Sequence, residues 1–273
     1  MNDATSNTSE SSLLLWMLAA MVGMLATYVS LGWVREGQRK PALRDSWRVV
    51  LLAASAQGTG ICCAMVLALS AEGLVFPLGY PLGRVFLIWG AAMLGCVPTC
   101  YLLVRSQHAV AKVGAGTLLA ALAVAVQMSW VGAVGFRPGV NWRMEFVAVA
   151  VALLLLGFTT ATWTSFSEGA RVGSRRQLWR LGGAALLGLT LMAGQEVLMA
   201  GAGLLAQVGS VYQREVPAAW LCLVGGVVVP LVLSVMALNL ELRRRARRQG
   251  RREGSSSLQL QKRRKKRHHV RQV

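Results

Sequence analysis

Seven runs of predominantly apolar residues, at about 13–34, 49–71, 85–104, 113–134, 145–166, 181–207 and 217–240, decide the solvent in which this chain can fold. About 20 apolar residues is the length that crosses the ~30 Å hydrocarbon core of a bilayer as a helix. Lipid offers no hydrogen bonds to a backbone, so a spanning segment must be a helix or part of a closed barrel. Runs of this length point to helices. The connections between them are short, roughly 9 to 15 residues, and none could hold a soluble domain. Charged residues make up 15% of the 273, against about 25% in soluble domains. The expected fold is therefore an all-α integral membrane domain of seven transmembrane helices over 13–242. A short outer N-terminus, 1–12, precedes it, and a polybasic, disordered cytoplasmic tail, 243–273, follows.

Charge sets the expected orientation. The connection after the first span carries Arg35, Arg39, Lys40, Arg44 and Arg48; the third connection carries Arg105 and Lys112; the fifth carries Arg171, Arg175, Arg176 and Arg180. With the tail from Arg243 onward, one side holds 25 of the 29 basic residues, leaving Arg84, Arg137, Arg143 and Arg214 on the other. The positive-inside rule then puts the N-terminus outside and the C-terminus in the cytoplasm, as for a plasma (inner) membrane protein. The leader before the first span has no Lys or Arg, unlike a secretory signal, so that span reads as a retained helix.

The tail, with Arg243, Arg244, Arg245, Lys262, Arg263, Arg264, Lys265, Lys266 and Arg267, has almost no apolar content. It reads as a solvated anchor for anionic lipids, at about 1 kcal/mol per basic residue near the surface. No aromatic or fold-level nucleic-acid reader accompanies it. Cys62, Cys63, Cys96, Cys100 and Cys222 all fall within spans, where thiols pack helices together; Cys96 and Cys100 share a helix face, which leaves a soft-metal role open. No Ser-His-acid set, paired-carboxylate site, HExxH or phosphate loop occurs, so the chain reads as a non-enzyme.

A second regularity lies inside the spans. GICCAMV around Met65, VQMSWVG around Ser129 and MAGQEVLM around Gln195 recur in alternate spans, 64 and then 66 residues apart. That period covers two spans and two connections. It predicts one leading helix followed by three repeated helix pairs, with a binding site where the repeats converge. The connections after these segments, EGLVFPLGYPLGR, GFRPGVNWR and VGSVYQREVP, are alike in Gly, Pro and aromatic content.

The layout resembles the MHYT domain, a seven-span bacterial membrane sensor module with three repeats, each carrying a Met-His-Tyr-Thr-like motif. Gly58-Thr59-Gly60-Ile61 and Gly79-Tyr80-Pro81 match its flanking features, over about 13–242. The resemblance implies signalling through a cytoplasmic partner, and Met and His ligands for copper in sensing a diatomic gas or redox state. On this pattern the motifs read Ala64-Met65-Val66-Leu67, Met128-Ser129-Trp130-Val131 and Gly194-Gln195-Glu196-Val197, with Met199 close by. All three motif histidines are replaced. Copper(II) of the family kind is not expected, whereas a thioether set of Met65, Met128, Met192 and Met199 would suit copper(I), the alternative being Met as core filler.

Met192, Gln195, Glu196 and Met199 share a helix face by spacing. Glu196, the one clearly ionisable residue inside a span, makes that face a candidate ligand, cation or proton site, shared with Gln127 and Ser129, or else a set of structural hydrogen bonds. The candidate sensor residues are thus Met65, Met128, Ser129, Trp130, Gln195, Glu196 and Met199. Three functions follow: a sensor without fused output domain, a small transporter using the Glu/Gln/Met stripe, or a purely structural membrane protein.

Overall fold

The computed structural model describes residues 3–39, 43–74, 76–106, 108–166, 175–203, 209–212, 215–243, 245, 246 and 249. It is all-α, with seven helices long and apolar enough to cross a membrane. They are α1 (Asp3–Gly37), α2 (Leu43–Ala71), α3 (Leu82–Arg105), α4 (Ala109–Val134), α5 (Met144–Ser165), α6 (Arg175–Ala202) and α7 (Ala218–Arg243). Helix α1 is continuous from Asp3, so most of the expected 1–12 leader is helical. The sixth span ends at Ala202, five residues short of the expected end, because Gly203 turns into the left-handed region at φ +61°. In α7 the turns Ala218–Leu223 pass into a π-helical stretch, Val224–Val228, at the Gly225-Gly226 pair.

The chain divides into two compact units, Met1–Leu233 and Ser234–Val273. Within the first, α1 to α6 form a closed ring in chain order, with α6 returning to pack on α1. Helix α2 also touches α4, α6 and the first part of α7, and it is the most enclosed span. Every residue from Ile61 to Leu69 in it is buried. Between helices in lipid there is no hydrophobic drive, so association depends on close packing and small residues. Two glycines show this directly. A Cβ on Gly58 would lie 2.6 Å from the Met93 backbone of α3, and one on Gly116 would lie 2.6 Å from the Thr159 backbone of α5.

At one end of the bundle the connections after α2, α4 and α6 are laced together. Gly79–Tyr80 (β1) pairs antiparallel with Val216–Pro217 (β4), and Phe136–Arg137 (β2) pairs antiparallel with Gly209–Ser210 (β3). Further bonds reinforce this cap: Ser210 Oγ donates to Val134 O at 2.6 Å, and the Arg143 N–H donates to Gly201 O at 3.2 Å. Arg84 lies 5.5 Å from the Tyr212 ring.

The opposite end is tied by basic side chains that turn inward. Arg35 donates to Ser165 O and lies over the Phe166 ring; Arg180 donates to Tyr28 O at 2.9 Å through Nε and lies 3.6 Å from that residue's ring. Both arginines are buried, and each holds α1 against the neighbouring α5 or α6 segment.

In the second unit, Arg243 donates to Asn239 Oδ1 at 2.9 Å and Arg245 lies 3.8 Å from Glu241. The other tail residues expected to bind lipid, Arg244, Lys262, Arg263, Arg264, Lys265, Lys266 and Arg267, lie outside the described residues.

Candidate functional site

The three repeats can be aligned on backbone geometry. Beyond the ends of α2, α4 and α6 stand Gly73, Gly135 and Gly203, with φ of 63°, 64° and 61°. Counting back eight residues from each glycine gives Met65, Gln127 and Gln195. All three are 1% exposed. The burial patterns agree: Leu119, Ala123, Gln127, Trp130 and Val134 of α4 are buried, and so are Leu187, Leu191, Gln195, Leu198 and Ala202, each 68 residues on in α6.

This register moves the second motif by two residues. Ser129, the position expected from residue similarity, is exposed, and its hydroxyl turns back to donate to Ala125 O at 2.7 Å. Two residues rotate a side chain about 200° around a helix at 3.6 residues per turn. Gln127 therefore takes the inward place. Met128 is half-buried, off the inward face.

The buried layer at this level is polar and unsatisfied. Gln127 Nε2 and Oε1, Gln195 Oε1, Trp130 Nε1 and the Tyr80 hydroxyl have no hydrogen-bond partner among the described residues. Tyr80, brought in from the cap, stands edge-on to Trp130 with ring centroids 5.3 Å apart at 83°. Cys62 of α2 lies beside the Trp130 indole nitrogen without meeting hydrogen-bond geometry. An amide or hydroxyl buried without a partner costs about 1–3 kcal/mol in proteins. Buried groups of this kind mark positions able to take a hydrogen-bonding guest.

The expected Met192/Gln195/Glu196/Met199 face divides in two. Met192, Gln195 and Met199 are buried in the bundle, whereas Glu196 is exposed and accepts a 2.6 Å hydrogen bond from Trp16 Nε1 of α1. Glu196 faces a cleft between α1, α2 and α6, across from Glu72. Glu72 and Trp16 were not singled out by sequence reasoning, and Tyr80 entered only as part of the Gly79-Tyr80-Pro81 turn. Glu72 follows the last apolar residue of its run, and Trp16 looks like any membrane-facing indole.

Of the expected thioether set, Met65, Met192 and Met199 are buried and Met128 is half-buried. The three equivalent positions supply one thioether and two amides, and amides are poor soft-metal ligands. No group of three His, Cys, Asp or Glu that could hold a metal ion occurs among the described residues. Comparison with protein-family models, curated proteins and solved structures gave no match.

Proposed function

We propose that this integral membrane protein is a non-catalytic sensor whose ligand position is the layer of Met65, Gln127 and Gln195 beneath the cap. The observation that carries this reading is their equivalence. Three repeats each place one enclosed side chain eight residues before a left-handed glycine, and two of the three bring amides with atoms, both polar atoms of Gln127 and the Oε1 of Gln195, that no described residue satisfies. The resemblance to the MHYT domain supports it, and in this register the second motif becomes Val126-Gln127-Met128-Ser129. A guest that satisfied the amides would favour the state in which the helices close on it, and only such a difference between states can transmit a signal.

In this reading the cap lies outside, the excess of Lys and Arg holds the other end in the cytoplasm, and the basic tail meets anionic lipid and a signalling partner. The test is cross-linking and recovery of partners with the full chain and with a chain ended after Glu241. The shortened chain is expected to insert normally and to lose a specific cytoplasmic partner. Recovery of the same proteins by both chains removes the sensor reading.

Glu196 in its cleft favours a second reading, a small transporter. It requires that Glu196→Gln abolish a cation- or pH-dependent flux in proteoliposomes, and absence of flux in the parent chain eliminates it.

A further inference from the structure

The cleft beside Glu196 is a candidate binding site in its own right, separate from the buried amide layer. Its volume is about 660 Å³, within the roughly 300–1,000 Å³ usual for small-ligand sites. Three helices supply its walls: Ser12, Leu13 and Trp16 from α1, Ala68 and Ala71 from α2, Glu196 from α6, with Glu72 just past the end of α2. These groups divide by chemistry. Leu13, Ala68 and Ala71 are apolar, Trp16 offers an indole, and the two ionisable groups are both carboxylates. No Lys or Arg is among the described residues that line it.

Trp16 spends its N–H on Glu196, which fixes that carboxylate at the wall. The carboxylate of Glu196 keeps acceptor capacity for another donor, since an ionised carboxylate offers about four lone-pair sites. Aromatic faces attract cations, most strongly when partly desolvated. An apolar wall, an indole and two carboxylates together complement a cation with an organic body. A hydrated metal ion would leave the apolar walls unused.

We propose that this cleft binds an organic ammonium ion, with Glu196 and Glu72 as its carboxylate partners and Trp16 as its aromatic wall. Either a free amine or the ammonium headgroup of a lipid would present that chemistry. Burial first, and the Glu196 carboxylate second, push the Glu72 carboxyl up to about 7. The cleft thus gains the negative charge of Glu72 as pH rises through neutrality, and binding strengthens in the same direction. The charged groups facing Glu72 in the cleft reduce to the Glu196 carboxylate, the remaining described lining residues being uncharged.

The experiment is calorimetric titration of the full chain in dodecylmaltoside micelles, which carry no ammonium group, with 2-phenylethylammonium and, in parallel, with neutral 2-phenylethanol. The ammonium is expected to bind at pH 8, at least tenfold more weakly at pH 5.5, and at least tenfold more weakly to Glu196→Gln or Glu72→Gln; the alcohol is expected not to bind. Titrating the parent chain alone across pH keeps the test decisive if a variant folds poorly. Repeating it in phosphatidylethanolamine nanodiscs separates the sources. Loss of amine binding there identifies the lipid headgroup as occupant, and unchanged binding identifies a free amine. Equal binding of the alcohol, parent-like binding by the Glu72→Gln/Glu196→Gln double variant, or no ammonium binding at pH 8 in dodecylmaltoside overturns the proposal. None of these outcomes depends on Gln127, Gln195 or the tail, so the sensor reading stands or falls separately.

Discussion

Tyr80 and Trp130 meet edge to face, 5.3 Å between ring centroids, with the Tyr80 hydroxyl and the Trp130 indole nitrogen both buried and without a hydrogen-bond partner among the described residues. The pair joins the cap to α4, and packing holds it without help from its polar atoms. Tyr80→Phe is therefore expected to leave thermal stability in detergent unchanged or slightly raised, since it removes a buried, unsatisfied hydroxyl. Tyr80→Leu, which loses the ring and leaves a small cavity, is expected to cost more than the roughly 0.5–1.5 kcal/mol of the lost aromatic pair alone. Equal losses in both variants would show that the hydroxyl contributes through a partner.

Gly58→Ala and Gly116→Ala are expected to destabilise the bundle by about 1–3 kcal/mol each, because the added methyl meets backbone and not a yielding side chain. Gly83→Ala and Gly90→Ala in α3, where nothing lies within 4 Å of the added atom, serve as controls and are expected to show no loss. Chemical denaturation of the four variants decides the matter.

The raised Glu72 carboxyl gives stability a pH dependence of definite sign. The folded state holds the proton more tightly than the unfolded chain, so this group's contribution is fully present below the ordinary carboxyl range, about 4.5, and is lost as pH rises through about 7. The melting temperature is expected to fall between pH 5 and pH 8. In Glu72→Gln the part of that fall due to this group is expected to vanish. Identical pH profiles for the two chains would contradict it.

Ser210 holds the cap by donating to Val134 O at 2.6 Å while its oxygen accepts the Tyr212 N–H at 3.2 Å. Ser210→Ala is expected to cost about 0.5–1.5 kcal/mol for each bond lost, and to speed amide exchange in the cap before the helices respond. Uniform exchange across the chain would mean that the cap is not a separate unit of opening.

Arg180 combines a bond to the Tyr28 carbonyl with stacking on that residue's ring, a geometry that suits the planar guanidinium. Arg180→Lys keeps the charge but is expected to recover less than half of the stability lost in Arg180→Ala, as measured by thermal unfolding.

The seven helices were legible in the sequence because lipid imposes one length and one composition on every span. Register within the repeat was not. Sequence similarity aligned Ser129 with Met65 and Gln195, since the neighbouring Met and Trp resemble motif residues. A helix apolar on nearly every side gives no periodic sign of which face turns inward, and α4 is such a helix. The left-handed glycines carried that information, and their backbone angles cannot be read from residue type. The cleft escaped notice for a related reason. Glu72 lies outside the apolar run and Glu196 within one, 124 residues later in the chain, so only the packing of α1, α2 and α6 brings them to one space.

Both two-residue ladders of the cap have one strand in the connection that follows α6: Gly209–Ser210 holds the loop after α4, and Val216–Pro217 holds the loop after α2. That connection acts as a crossbar. A lengthwise slide of α2 or α4 alone would shear its ladder, since a pairing of two residues has no alternative register to slip into. Rotation or tilt about the laced end leaves both ladders intact. The lacing thus opposes sliding of α2 or α4 along its axis more than it opposes tilt about the cap.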